Sequence, residues 1–131
     1  GRPLLLSARI LARPEQNLAI GLDPFQWARE ELVDFLVVSH YLRNDFALPI
    51  AEFRGRLPPS LPIYGSIEVE RDPDGYHAIA GQLWRDGVDG ILLFNFFTTR
   101  ESGRQPPFDL LDQLGDPATI PDLENSTATD N

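Results

Sequence analysis

The sequence holds 131 residues, 42% hydrophobic and 24% charged, the balance of an ordinary globular domain with room for a modest core. Its net charge is −9 and all eleven basic residues are arginine, which argues against nucleic acid and anionic membrane surfaces and leaves neutral or cationic partners, sugars being neutral. Cysteine is absent, so no disulfide framework, thiolate chemistry or cysteine-based metal site is expected, and no apolar run approaches the roughly 20 residues of a membrane span.

In chain order, Leu4–Ile10 reads as a first strand; its run Leu4–Leu6 is too short for the apolar region of a signal peptide. Asp23-Pro24-Phe25-Gln26 carries the marks of a helix start, a capping carboxylate, a proline in the first turn and a glutamine at the third position, and predicts a helix to Leu32. Val33–His40 is the second strand, followed by a helix over Pro49–Leu57 with Ile50, Phe53 and Leu57 at helical spacing. Pro62–Glu70 is the third strand. A helix over Gly75–Asp86 then presents Ile79, Ala80, Leu83 and Trp84 and stops at Gly87. Gly90–Phe97 is the fourth strand, and a short helix near Pro107–Leu114 ends at Gly115. Residues 1–115 thus alternate β and α, the pattern of a parallel α/β sheet, whereas 116–131 reads as a polar, mobile tail.

The connections are asymmetric. Leu11–Asp23, Tyr41–Leu48 and Thr98–Pro106 are long and follow strands, while helix-to-strand turns such as Gly87-Val88-Asp89 are short. Long loops therefore gather at the strands' C-terminal ends, where parallel α/β folds carry their sites. Alternation along the strands sends Leu6, Ala8, Ile10, Ile63 and Ile67 toward helices and Leu5, Ser7, Arg9, Tyr64, Ser66 and Glu68 to the opposite, inner face. Polar residues expected to point inward collect near the C-terminal ends: Arg9, Ser39, Glu68 and Asn95. Burying them unpaired would cost several kcal/mol, so a polar pocket is the economical reading.

The runs Ile20-Gly21-Leu22-Asp23, Val33-Asp34-Phe35-Leu36-Val37, Pro62-Ile63-Tyr64-Gly65-Ser66-Ile67-Glu68 and Gly87-Val88-Asp89-Gly90-Ile91-Leu92-Leu93-Phe94-Asn95-Phe96 resemble the C-terminal part of bacterial glycoside hydrolase-like TIM-barrel proteins of the family-ten-like group, over roughly residues 1–116. The resemblance implies half of a (β/α)8 TIM barrel, strands five to eight of the eight that a barrel requires. It also places the nucleophile of such barrels on strand seven, here Pro62–Glu70. Glu68 is then the candidate nucleophile and Glu70 its backup, with Arg9, Ser39, His40, Tyr41 and Asn95 as candidate substrate-binding residues. The partner carboxylate of strand four has no counterpart here; Asp45, on a long loop, is the substitute.

Each assignment has a structural counterpart. Glu68 can be an ion-pair partner of Arg9, Glu70 a solvated strand-end charge, His40 a hydrogen-bonded structural histidine and Asn95 a loop tie. His77 reads as a surface residue, and Trp27 and Trp84 as core rather than sugar platforms; Tyr41, Tyr64 and Phe97 are better placed to stack on a sugar. No phosphate loop, HExxH or nucleophile elbow is present, so neither a cofactor nor a metal is called for. Half a barrel also leaves two open sheet edges and an uncovered face, from which self-association, most simply a homodimer, is expected. The alternative is a non-catalytic, self-associating module built on a flavodoxin-like open sheet.

Overall fold

In the computed structural model, residues 3–41, 44, 47–68, 70, 72–97, 103 and 105–121 are described. Four strands, β1 (Ser7–Leu11), β2 (Phe35–Ser39), β3 (Ile63–Ile67) and β4 (Gly90–Leu93), form one parallel sheet in the order β1-β2-β3-β4. Between them lie α1 (Pro14–Ala19), α2 (Pro24–Arg29), α3 (Ile50–Arg56) and α4 (Pro73–Asp86). A 3-10 turn over Phe108–Leu110 leads into α5 (Leu111–Leu114). The order is sequential throughout; a doubly wound sheet would reverse it at a switch point. No helix among the described residues is long and apolar enough to cross a membrane.

The register runs Arg9↔Val37 and Val37↔Tyr64, then Tyr64↔Gly90. One sheet face carries Ala8, Ile10, Leu36, Val38, Ile63, Ile67, Ile91 and Leu93, which share a single core with Phe25, Ile50, Phe53, Ala80 and Leu83 of the helices. The opposite face carries Arg9, Phe35, Val37, Tyr64, Ser66 and Leu92 and is outside that core.

The strands are shorter than the sequence suggests. Leu4, Leu5 and Leu6 precede the ladder and are solvent-exposed, because β2 begins at Phe35 and gives them no facing strand. The fourth strand stops at Leu93, where the chain turns through Phe94–Phe97. Aspartates bracket two of the strand starts in the same way. Asp34 donates its N–H to the Leu6 carbonyl (2.7 Å) and accepts the Leu6 N–H on Oδ2 (2.6 Å). Asp89 does the same for Ile63, at 2.8 and 2.9 Å. Asp89 also pairs with Arg54. Burial alone would raise its pKa, but the Ile63 N–H and Arg54 outweigh burial and hold it below the ordinary value.

The helix signals read from sequence are present, with two corrections at the ends. Asp23 accepts the Gln26 N–H (3.0 Å) and Pro24 occupies the first turn. The helix ends at Arg29 rather than Leu32, because Glu31 takes a left-handed φ of 55° and the Leu32 N–H closes on the Trp27 carbonyl. In α4 Gly87 (φ 94°) performs that role without steric conflict, and the Val88 N–H closes on Leu83. The short helix α1 falls inside what the sequence presents as a loop; Pro14 in its first turn with Glu15 beside it is the start signal. His77 is not a surface residue: it is buried, with Nε2 2.6 Å from Gln113 Oε1. Trp84 donates to the Leu114 carbonyl (2.9 Å), and Trp27 and Trp84 both pack against the core, as expected. Of the expected tail, Pro117–Thr119 forms a 3-10 turn and Ile120 packs against the core, while residues 122–131 lie outside the described residues.

Gly65 fixes the distance between β3 and α4. A Cβ there would fall 2.6 Å from a Leu83 methyl, so the helix sits on bare backbone at the strand that carries Glu68. Gly65→Ala is expected to lower stability by about 1–3 kcal/mol in urea unfolding, through overpacking; an unchanged midpoint would show that Leu83 has room to move.

Candidate functional site

At the C-terminal ends of the strands, on the face away from the helix core, one side chain organises the others. Arg9 of β1 places a guanidinium nitrogen 2.6 Å from Glu68 Oε1, immediately after β3. The same nitrogen donates to the His40 carbonyl, immediately after β2, at 3.4 Å. Its guanidinium carbon lies 3.9 Å from the centroid of the Phe94 ring, immediately after β4, a cation–π contact.

Glu68 has no solvent exposure, while the Arg9 side chain keeps about a third of its own (32%). Oε1 is bonded to Arg9; Oε2 is buried and, among the described residues, meets no hydrogen-bond partner. An unmade bond of this kind costs about 1–3 kcal/mol. Burial is the largest influence on the carboxyl and raises its pKa above the ordinary value, against the lowering effects of the Arg9 hydrogen bond and charge and of nearby His40. The arrangement is therefore a desolvated carboxylate gripped on one oxygen, the preparation a general base or nucleophile requires.

Asn44 holds the Glu68 main chain. Its Oδ1 accepts the Glu68 N–H (2.9 Å) and its Nδ2 donates to the Glu68 carbonyl (3.2 Å), copying the bonds of a neighbouring strand where β3 has run out. Asn17, fully buried, does the same at the end of β1, with 2.8 and 2.9 Å bonds to the Leu11 N–H and carbonyl. Sequence reading assigns neither asparagine a role; an asparagine in the loop that follows a strand is the available signal.

The structure brings Arg9, His40 and Glu68 together. Ser39 is beside them in sequence but commits its hydroxyl to the Ile10 carbonyl (2.8 Å), a strand-to-strand tie. Tyr41 projects outward, 74% exposed. Glu70 turns from the group toward α4: its N–H meets Tyr76 Oη (3.2 Å), and its carboxyl packs so closely on Gly75 that a Cβ there would lie 2.8 Å from the carboxyl carbon. Asn95 occupies the turn after β4 at a φ of 51°, a conformation asparagine tolerates, and so is not an inward strand residue; Phe94 takes the place beside Arg9. Tyr64 packs on Phe35 (ring centroids 4.9 Å apart), and Phe97, largely exposed, stacks on Phe108 (5.8 Å). Asp45 lies outside the described residues.

A cavity of about 270 Å³ opens between this end of the sheet and α4, lined mainly by Leu48, Ile79 and Leu83 with His40, Asn44, Ser66 and Gln82 among its polar residues. Among the described residues no group of three histidines or carboxylates is arranged to hold a metal ion. Comparison of the chain with protein families and with curated proteins finds no match.

The raised pKa of Glu68 has a defined sign. Its folded state binds the proton more tightly than the unfolded chain does, so the site favours folding most below pH 4.5, the ordinary value, and loses that contribution as pH rises from there through the folded pKa. The stability difference between the wild type and Glu68→Gln, measured by urea unfolding in steps from pH 4 upward, is expected to move against the wild type across that window. A difference independent of pH would contradict the assigned shift.

Proposed function

We propose that the chain is the C-terminal half of a glycoside hydrolase-like TIM barrel that acts on or binds carbohydrate, with Glu68 as its reactive carboxylate. The observation that carries this reading is the state of Glu68: it stands at the C-terminal end of a parallel strand, desolvated, with one oxygen held by Arg9 and the other without a partner among the described residues. Barrel enzymes assemble their chemistry at that end of the sheet. The sequential strand order, and the gathering of the described helices' core residues on one face of the sheet, support a barrel-type winding. They work against the flavodoxin-like alternative, whose sheet reverses its order and carries helices on both faces. The acidic balance of the chain suits a neutral ligand.

Four βα units form half of such a barrel, and a glycosidase needs a second carboxyl group about 5–9.5 Å from the first. Catalysis therefore requires four further units, and the isolated half is inactive. Two copies related by a two-fold axis along the barrel supply them, because that operation keeps every strand parallel and joins β1 of one copy to β4 of the other. A non-catalytic self-associating module is the second reading, favoured by one observation: Glu68 is wholly enclosed, so that no ligand reaches it while Arg9 and the loop carrying Asn44 hold their places.

Light scattering combined with an aryl-glycoside screen tests the proposal. The expected result is an assembly of twice the single-chain mass that releases aglycone, with Glu68→Gln slowing release by at least about 100-fold. A monomeric mass would overturn closure by self-association. A dimer with no hydrolysis would leave the non-catalytic reading, and a fully active Glu68→Gln dimer would remove Glu68 from the chemistry.

A further inference from the structure

Ser66 and Glu68 are two residues apart on the same face of the third strand and its continuation, and neither has solvent exposure. Ser66 Oγ and Glu68 Oε2 are the two buried side-chain polar atoms of the described residues that meet no hydrogen-bond partner. Buried polar groups are nearly always paired, so two orphans side by side on one strand point to a shared partner. Same-face neighbours on a strand are about 6.6 Å apart at Cα. Two hydrogen bonds through one bridging oxygen span about 5.5 Å, which suits side chains leaning toward each other.

The chemistry of the two atoms restricts what can join them. An ionised carboxylate only accepts, whereas a serine hydroxyl both donates and accepts. The bridging group must therefore donate to Glu68 and can accept from Ser66. A water molecule meets both demands, and waters bound to buried polar groups make two to four bonds. We propose that Ser66 is a positioning residue for Glu68, and that Ser66 Oγ and Glu68 Oε2 share one enclosed water. Arg9 then holds Oε1 and the water holds Oε2, so the plane of the carboxyl group is fixed from both sides. The importance of that orientation to catalysis rests on the function proposed above; the bridge itself does not.

Two measurements decide it. A high-resolution crystal structure of the unmodified chain at neutral pH is expected to show an ordered oxygen within about 2.6–3.2 Å of both Ser66 Oγ and Glu68 Oε2; well-defined side chains with no such oxygen overturn the bridge. The Glu68 carboxyl carbon, followed by NMR against pH, is expected to titrate at higher pH in Ser66→Ala than in the wild type, because the carboxylate has lost an oriented donor. Ser66→Thr, which keeps the hydroxyl, returns the midpoint toward wild type. A midpoint unmoved by Ser66→Ala overturns the positioning role even if the oxygen is present, and if that variant does not fold, the crystal structure decides alone. Neither readout uses glycosidase activity, so loss of the enzymatic reading and loss of this one are separable.

Discussion

The ion pair between Arg9 and Glu68 is the interaction on which this end of the molecule depends. A carboxylate with no solvent exposure must be compensated or protonated. The compensation comes from the far edge of the sheet: Arg9 leaves β1 and meets the first residue after each of the other three strands, the His40 carbonyl, the Glu68 carboxylate and the Phe94 ring. One side chain thus ties four strand ends together on the face opposite the helix core. Apolar contacts there are local, such as Tyr64 on Phe35, since Arg9, Val37, Tyr64 and Ser66 stand outside the core shared by the helices. The guanidinium suits the role because it offers several donors in a plane and a flat face for an aromatic ring.

Polar side chains also take over where the parallel ladder ends. Asp34 and Asp89 grip the main chain at the starts of β1 and β3, each through its own N–H and one carboxylate oxygen. Asn17 and Asn44 grip the main chain at the C-terminal ends, at Leu11 and Glu68. In both positions a side chain satisfies donors and acceptors that a longer neighbouring strand would have satisfied. The strands can therefore be short, and the residues just past them are held firmly enough to carry a site.

Much of this was legible in the sequence, for identifiable reasons. Apolar strand runs separated by capped helices gave the parallel α/β class, and Asp23, Pro24 and Gly87 marked helix ends through local rules that tertiary contacts do not override. Alternation in β3 placed Glu68 and Ser66 away from the helices, and the pairing of Glu68 with Arg9 was one of two readings open for it. Other features depended on neighbours that a sequence does not display. Leu4–Leu6 looks like strand but has no facing segment in β2. His77 looks exposed from its helix position, yet α5 returns to cover it. Asn95 follows the strand alternation on paper, but the strand ends two residues earlier at Leu93. Asn44 acts through the main chain of Glu68, 24 residues on, and Asn17 through that of Leu11, six residues back; of these pairings the sequence shows only an asparagine following a strand. Of what the resemblance implied, the structure shows the four-stranded parallel α/β sheet.

A double-mutant cycle on Arg9→Met and Glu68→Gln, with stability read by urea unfolding at pH 7, tests the central claim most directly. If the pair organises the strand ends, the two substitutions are strongly non-additive, with a coupling energy of about 2 kcal/mol or more. A coupling below about 0.5 kcal/mol, the additivity of independent sites, would show that Glu68 is accommodated by its surroundings without Arg9 and would contradict the account.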